Sequence, residues 1–189
     1  MNRKTFLCQS GGGLLGCCAG WALGAAGSLA GLEARAQTPP APAIDAEKQF
    51  IQNWLADLME AIDREPDESL KARLIGACGR ACFERHEFKR KWAVEGRGDV
   101  EKLVAALKAN FEVWREGSRV HVRYGAVSKG CYCPAARYRP AKPNDIHCYC
   151  SRGTHQAVWE TALGRPIRVE LVESVRRGDK TCHFLVHLD

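Results

Sequence analysis

The tripeptide Cys-Tyr-Cys occurs twice in the chain, beginning at Cys131 and at Cys148. In an extended chain, residues two apart face the same side, so each tripeptide would present two thiols together. If the two tripeptides pair as antiparallel strands, one register places Cys131 opposite Cys150 and Cys133 opposite Cys148. This register gathers four thiols on one face, and we predict that they form the functional site.

Four thiols in this arrangement suit two chemistries. Directly opposed residues have Cβ atoms about 4.5–5.5 Å apart, so four thiolates could close around a tetrahedral zinc ion or an iron–sulfur cluster. The same separation suits two cross-strand disulfides, Cys131–Cys150 and Cys133–Cys148. Free thiols are the third alternative. We predict a metal centre at these four cysteines, and their spacing does not choose between zinc and iron.

Three further cysteines need separate interpretations. Cys78 and Cys82 lie four residues apart, on one face of a predicted helix. They are either small buried residues of its apolar stripe or a second thiol pair that supplies ligands or a redox site. Cys182 alternates in phase with Phe184 and Val186, which predicts a core position.

Residues 1–36 have the pattern of an export signal. Arg3 and Lys4 precede a stretch rich in Gly, Ala and Leu over 11–32, and Ala-Arg-Ala at 34–36 is typical of a signal-peptidase site. The segment resembles a twin-arginine signal with lysine in place of the second arginine. We therefore predict a periplasmic or otherwise exported protein. Cleavage leaves seven of the ten cysteines, since it removes Cys8, Cys17 and Cys18.

Cys17 offers a minor alternative, because Leu-Leu-Gly-Cys at 14–17 is similar to a lipoprotein cleavage site and would give a lipid anchor. No stable membrane span is expected after signal cleavage. Residues 37–44, with three prolines, predict a stiff linker.

Hydrophobic periodicity predicts helices in the first half of the remaining chain and strands in the second. Aspartates that can cap helices precede the apolar stripes. The predicted elements are helices that begin at Asp45, Asp67 and about Asp99, a strand over 119–124, short strands around 131–133 and 146–150, a helix over about 154–163, and a hairpin of 167–171 with 181–186. Together they predict one α+β domain over 45–189, with N-terminal helices packed on an antiparallel sheet and one inserted helix.

The charge pattern argues against a nucleic-acid partner. The chain of 189 residues has a formal net charge of +6, part of which belongs to the signal. The basic runs at 89–91 and 176–177 have no interleaved aromatic residues and match no nucleic-acid-binding motif. We expect no nucleic-acid partner.

The C-terminal sequence resembles a known family. The residues that carry the resemblance are Cys-Tyr-Cys-Ser-Arg-Gly from Cys148, the segment 163–170, and Gly178, Asp179, Cys182 and Phe184. They are similar to the 4-vinyl reductase domain family and to the related L-2-amino-thiazoline-4-carboxylic acid hydrolase-like bacterial proteins. The resemblance implies an α+β domain that binds a small molecule, with zinc held by cysteines in some members. The chain has Ser174 where the family often has a further cysteine.

These observations predict an exported domain that binds a small organic ligand and uses the four thiols for a structural or redox metal. A hydrolase with a cysteine or a metal-bound water at its site is one alternative. A disulfide-stapled structural domain without a site is the other. No catalytic residue is assigned, because the chain has no Ser/His/Asp order, phosphate-binding glycine loop or paired-carboxylate motif.

Overall fold

A computed structural model describes residues 45–136 and 138–189. The predicted export signal over 1–36, the linker over 37–44 and the cysteine proposed for lipidation all lie outside these residues. No helix in the described part of the chain is long and apolar enough to cross a membrane.

The described residues form five helices and four strands. The helices are α1 (Ala46–Asp63), α2 (Glu68–Arg85), α3 (Glu87–Glu95), α4 (Val100–Lys108) and α5 (Cys148–Leu163). The strands are β1 (Glu112–Glu116), β2 (Arg119–Arg123), β3 (Arg168–Glu173) and β4 (His183–His187). Two short 3-10 turns, Pro134–Ala136 and Val175–Arg177, lie in the loops around α5 and β3.

The four strands form one antiparallel sheet in the order β1-β2-β4-β3. Val122 of β2 pairs with Phe184 of β4, and both side chains are fully buried. The main core lies between this face of the sheet and helices α2 to α5, with Leu103, Leu107 and Trp159 at its centre. The predicted α+β class, with N-terminal helices and an antiparallel sheet, is therefore confirmed.

The predicted starts of α1, α2 and α4 are also confirmed. The side chains of Asp45, Asp67 and Asp99 accept hydrogen bonds from backbone amides in the first turns of α1, α2 and α4. Such caps satisfy amide groups that have no partner inside the helix. Helix α5 ends at Gly164, whose φ of 67° is the left-handed conformation that favours glycine.

Two elements are absent from the sequence prediction. Helix α3 was not predicted because its basic run interrupts the apolar pattern, yet Trp92 and Ala93 are buried in the core. Strand β1 contributes one buried residue, Val113, which is too weak a signal for strand periodicity.

The predicted short strands at 131–133 and 146–150 are wrong. Residues 131–133 have no regular secondary structure, and Cys148 begins α5 six residues before the predicted start at Thr154. An alternation of three residues cannot distinguish a strand from one turn of helix. Here the buried stripe of α5 continues back to Cys148, so tertiary packing selects the helix.

Candidate functional site

The structure places the four predicted site cysteines differently from the predicted ladder. Cys131 and Cys133 lie in an irregular loop, whereas Cys148 and Cys150 lie in the first turn of α5. Residues two apart on a helix are separated by about 200° around its axis. The two helical thiols therefore leave α5 in different directions, and the strand register that predicted a square of thiols does not form. The assignment of these cysteines as metal ligands stays a prediction.

A buried ion-pair cluster fixes the loop that contains Cys131 and Cys133. Asp145 has no exposed surface and forms ion pairs with two arginines. Its Oδ1 lies 2.5 Å from Arg139 Nη2, and its Oδ2 lies 2.7 Å from Arg176 Nη2. Arg176 also donates to three loop carbonyls, those of Ala136, Arg139 and Pro140. The cluster thereby holds the cysteine loop against the 3-10 turn that follows β3.

Helices α2 and α5 pack at glycine contacts beside the thiols. A Cβ atom on Gly79 would lie 1.9 Å from the carbonyl oxygen of Cys150. The hydroxyl of Thr154 donates to the Gly79 carbonyl at 3.0 Å. Because Gly79 lies between Cys78 and Cys82 on α2, this packing brings both cysteines close to the N-terminal turn of α5.

Cys78, Cys82 and Cys133 lie near enough to Cys150 to affect its pKa, and we call these four residues the α2–α5 thiol group. The pKa of Cys150 is raised to about 12. Burial is the largest cause, and the charges of the three other thiols of the group contribute to the rise. Two of the predicted ligands, Cys133 and Cys150, belong to the group. Cys78 is exposed and Cys82 is partly buried, so the alternative of two small buried residues does not apply to Cys78, and their role as a second thiol pair stays a prediction.

The other three cysteines, Cys131, Cys148 and Cys182, lie in a second neighbourhood near the start of β4. Cys148 Sγ lies 2.7 Å from Ser174 Oγ, and burial raises the Cys148 pKa to about 11. Cys182 packs against the main core, as its alternation predicted. Cys131 lies near enough to Cys182 to contribute to its raised pKa, of which burial is the largest cause.

Two cationic or imidazole groups touch the α2–α5 thiol group. Lys89 Nζ lies 3.0 Å from Cys82 Sγ, and His147 Nε2 lies 3.2 Å from Cys133 Sγ. Alternation along a strand would turn His147 away from Cys148, but His147 is buried in the structure. The helical start of α5 turns this histidine toward the cysteine loop, which alternation could not show.

Tyr124 and His155 form a hydrogen-bonded pair between the thiols and the core. Tyr124 Oη and His155 Nε2 are 2.9 Å apart. Burial, and then the neighbouring Lys89, lower the His155 pKa to about 3, so the imidazole is neutral at physiological pH. Burial also raises the pKa of the Tyr124 phenol, and nearby thiols, including those of Cys182 and Cys131, raise it further. Both members of the pair are therefore neutral at physiological pH.

From the sequence, His155 lies at the start of the helix expected over about 154–163, where it could line a pocket, whereas Tyr124 was given no role. The signal for Tyr124 was present, since it continues the inward alternation of Val120 and Val122 along β2. Nδ1 of His155 is buried and has no hydrogen-bond partner in the described part of the chain.

All seven cysteines in the described residues are free thiols. Within 45–136 and 138–189, no group of three or more His, Cys, Asp or Glu side chains is arranged to hold a metal ion. A metal in the α2–α5 thiol group would thus require local movement, for which the irregular loop at Cys133 is the most suitable element.

Fold and site together define a cysteine-rich α+β domain in which thiols lie between a helix pair and a loop. Residues 42–188 match the model of a family described as "Family of unknown function (DUF6144)", and the chain belongs to that family.

The chain is also similar to a solved vinyl-4-reductase family protein from Methanocaldococcus jannaschii. The identity is 15%, the match covers 79% of this chain and 99% of that chain, and the TM-score is 0.31. No curated protein matches the chain.

Proposed function

We propose that the protein is an exported small-molecule-binding domain that binds a soft metal, zinc or an iron–sulfur cluster, through its α2–α5 thiol group. The observation that supports the proposal is the contact of α2 with the first turn of α5 at Gly79 and Cys150, which places cysteines of α2, the loop and α5 in one neighbourhood. Helix α2 supplies two of them, the loop supplies Cys133, and α5 supplies Cys150 itself.

The donor chemistry fits such a metal. Thiolates are the ligands preferred by zinc and iron–sulfur clusters, and four of them complete a tetrahedral zinc site. Cys78 and Cys82 lie one helical turn apart on α2, so both can face one centre. A bound metal would join α2, the loop and α5, and would also supply redox chemistry if it were a cluster.

The four cysteines predicted as metal ligands lie in two different neighbourhoods of the structure. Cys133 and Cys150 stay proposed ligands of the α2–α5 thiol group. Cys131 and Cys148 lie near Cys182 and are not proposed as ligands of this group. The Cys148 sulfur is hydrogen-bonded to the hydroxyl of Ser174.

A hydrolase is the second candidate, and the Tyr124–His155 pair is the observation that favours it. A neutral phenol and a neutral imidazole in hydrogen-bond contact can hold and pass one proton beside the thiols. The raised pKa of Cys148 opposes a role for this thiol as a nucleophile, since the reactive form is the thiolate.

The test uses the full chain purified without oxygen from a reducing cytoplasm. Metal content and free-thiol count are measured on the same sample. The proposal predicts zinc, or iron with labile sulfide, at a fixed ratio to protein. Metal-free protein whose cysteines are joined in disulfides would contradict it and would favour the stapled structural domain.

The variant Tyr124→Phe distinguishes the hydrolase function from the metal-binding function. This variant removes the shared proton but none of the proposed ligands. If the protein is a metal-binding domain, the variant should retain its metal. If the protein is a hydrolase, the folded variant should lose turnover of its substrate.

A further inference from the structure

A groove runs along the flank of the α2–α5 crossing opposite the thiol group. It has a volume of about 450 Å³. Small residues of both helices form its floor, and its polar lining consists of Ser69, Arg73, Arg80, Arg152 and Gln156.

The close approach of the two helices creates the floor of this groove. A Cβ atom on Gly153 would lie 2.3 Å from the carbonyl oxygen of Gly76, so the two backbones touch there. Ala72 and Ala77 add little volume beside this contact. The longer arginine side chains therefore line the sides of the groove and leave its floor open.

The lining arginines are only partly neutralised. Arg80 Nη1 forms an ion pair with Glu160 Oε2 at 2.6 Å. Arg73 and Arg152, by contrast, form no salt bridge and donate no side-chain hydrogen bond to any residue within 45–136 or 138–189. The nearby carboxylate of Glu68 already pairs with Lys71 at 2.6 Å.

The guanidinium of Arg152 is held in place by stacking. Its Cζ lies 4.7 Å from the ring centroid of Tyr149, and the Arg177 guanidinium contacts the same ring at 5.2 Å. Arg152 is half-buried, and burial lowers its pKa. A half-buried cation without a carboxylate partner beside a cavity favours an anion from outside the chain.

We propose that this groove binds a small organic anion with a carboxylate or phosphate group. Arg152 and Arg73 bind the charged group, and Ser69 and Gln156 offer hydrogen bonds to the rest of the ligand. The inference rests on the small-molecule binding proposed above and gives its ligand a chemical class. It does not depend on the metal, because Arg80 and Cys82 are two residues apart on α2 and face different flanks.

Calorimetric titration of the full chain with 3-phosphoglycerate tests the inference, because this probe has both anionic groups. Glycerol is the uncharged comparison, and chloride keeps the ionic strength constant. The wild-type protein should bind 3-phosphoglycerate saturably. The Kd should rise about tenfold or more in Arg152→Gln, as expected for the loss of a charge-assisted hydrogen bond.

Arg97→Gln is the matched control, because Arg97 is exposed and lies outside the groove. It should bind like the wild type. Equal weakening in both variants, or no saturable binding of 3-phosphoglycerate, would overturn the inference. Saturable binding of glycerol alone would overturn the anion class and leave small-molecule binding intact. Metal content measured on the same samples reports separately on the proposed metal centre.

Discussion

Gly79 of α2 lies directly against the carbonyl oxygen of Cys150 in α5, with no room between them for a Cβ atom. The hypothetical Cβ would be 1.9 Å from that oxygen and 2.7 Å from the amide nitrogen of Thr154. Both obstacles are backbone atoms, so they cannot move aside as a side chain could. This contact sets the distance between Cys150 and the two cysteines of α2.

Gly79→Ala should therefore destabilise the protein although alanine is the better helix former. Overpacking of this kind costs about 1–3 kcal/mol or more, which exceeds the gain of about 1 kcal/mol from replacing glycine in a helix. Urea unfolding measures the difference. Gly76→Ala is the matched control, because its Cβ would meet only the Tyr149 carbonyl oxygen at 3.9 Å. A Gly79→Ala protein as stable as the control would refute the close contact.

Removal of the buried charge of Asp145 should also weaken the fold. Asp145→Asn leaves the buried guanidinium of Arg176 without a counter-ion and leaves Arg139 with only the partly exposed carboxylate of Glu60. Breaking a buried pair in this way costs about 3–5 kcal/mol. Glu60→Gln removes a carboxylate that also pairs with Arg139 but is 40% exposed, so it should cost below about 1 kcal/mol. Similar unfolding midpoints for the two variants would contradict the role given to Asp145.

The buried His155 predicts a loss of stability in acid. Its folded pKa of about 3 lies below the ordinary value of 6.5, so the unfolded chain binds the extra proton more readily. Stability from this group is present above pH 6.5 and declines as the pH falls toward 3. One proton gives a slope of about 1.4 kcal/mol per pH unit.

The measurement is the free energy of unfolding at several pH values between 6.5 and 4. His155→Gln removes the titrating group. It should reduce the pH dependence of the unfolding free energy by about 1.4 kcal/mol per pH unit, the contribution of one proton, even if it lowers stability at every pH. A variant whose slope equals that of the wild type would show that His155 does not titrate in this way.

The helices that the sequence predicted begin at local signals. Asp45, Asp67 and Asp99 each sit before an apolar stripe, and their capping bonds involve residues two or three positions away. Such short-range chemistry can be recognised without the fold. The hairpin of β3 and β4 was predicted for the same reason, from alternation on both sides of the turn at Gly178.

The candidate site was only partly predictable because its geometry depends on contacts between distant residues. Cys-Tyr-Cys at 148–150 fits a strand and a helix equally well, and the packing of α5 decides between them. The Gly79–Cys150 contact joins residues 71 positions apart. The sequence identified Cys78 and Cys82 as a possible thiol pair, but only the crossing of α2 and α5 shows which cysteines are their neighbours.

The most direct test of the metal centre compares metal-to-protein ratios in two cysteine variants by elemental analysis of anaerobically purified protein. Cys82→Ser removes a member of the α2–α5 thiol group, whereas Cys182→Ser changes a thiol outside it. We expect Cys82→Ser to lose most of the bound zinc or iron and Cys182→Ser to retain the wild-type ratio. Unchanged metal in Cys82→Ser, or no metal in the wild-type protein, would contradict the proposed centre.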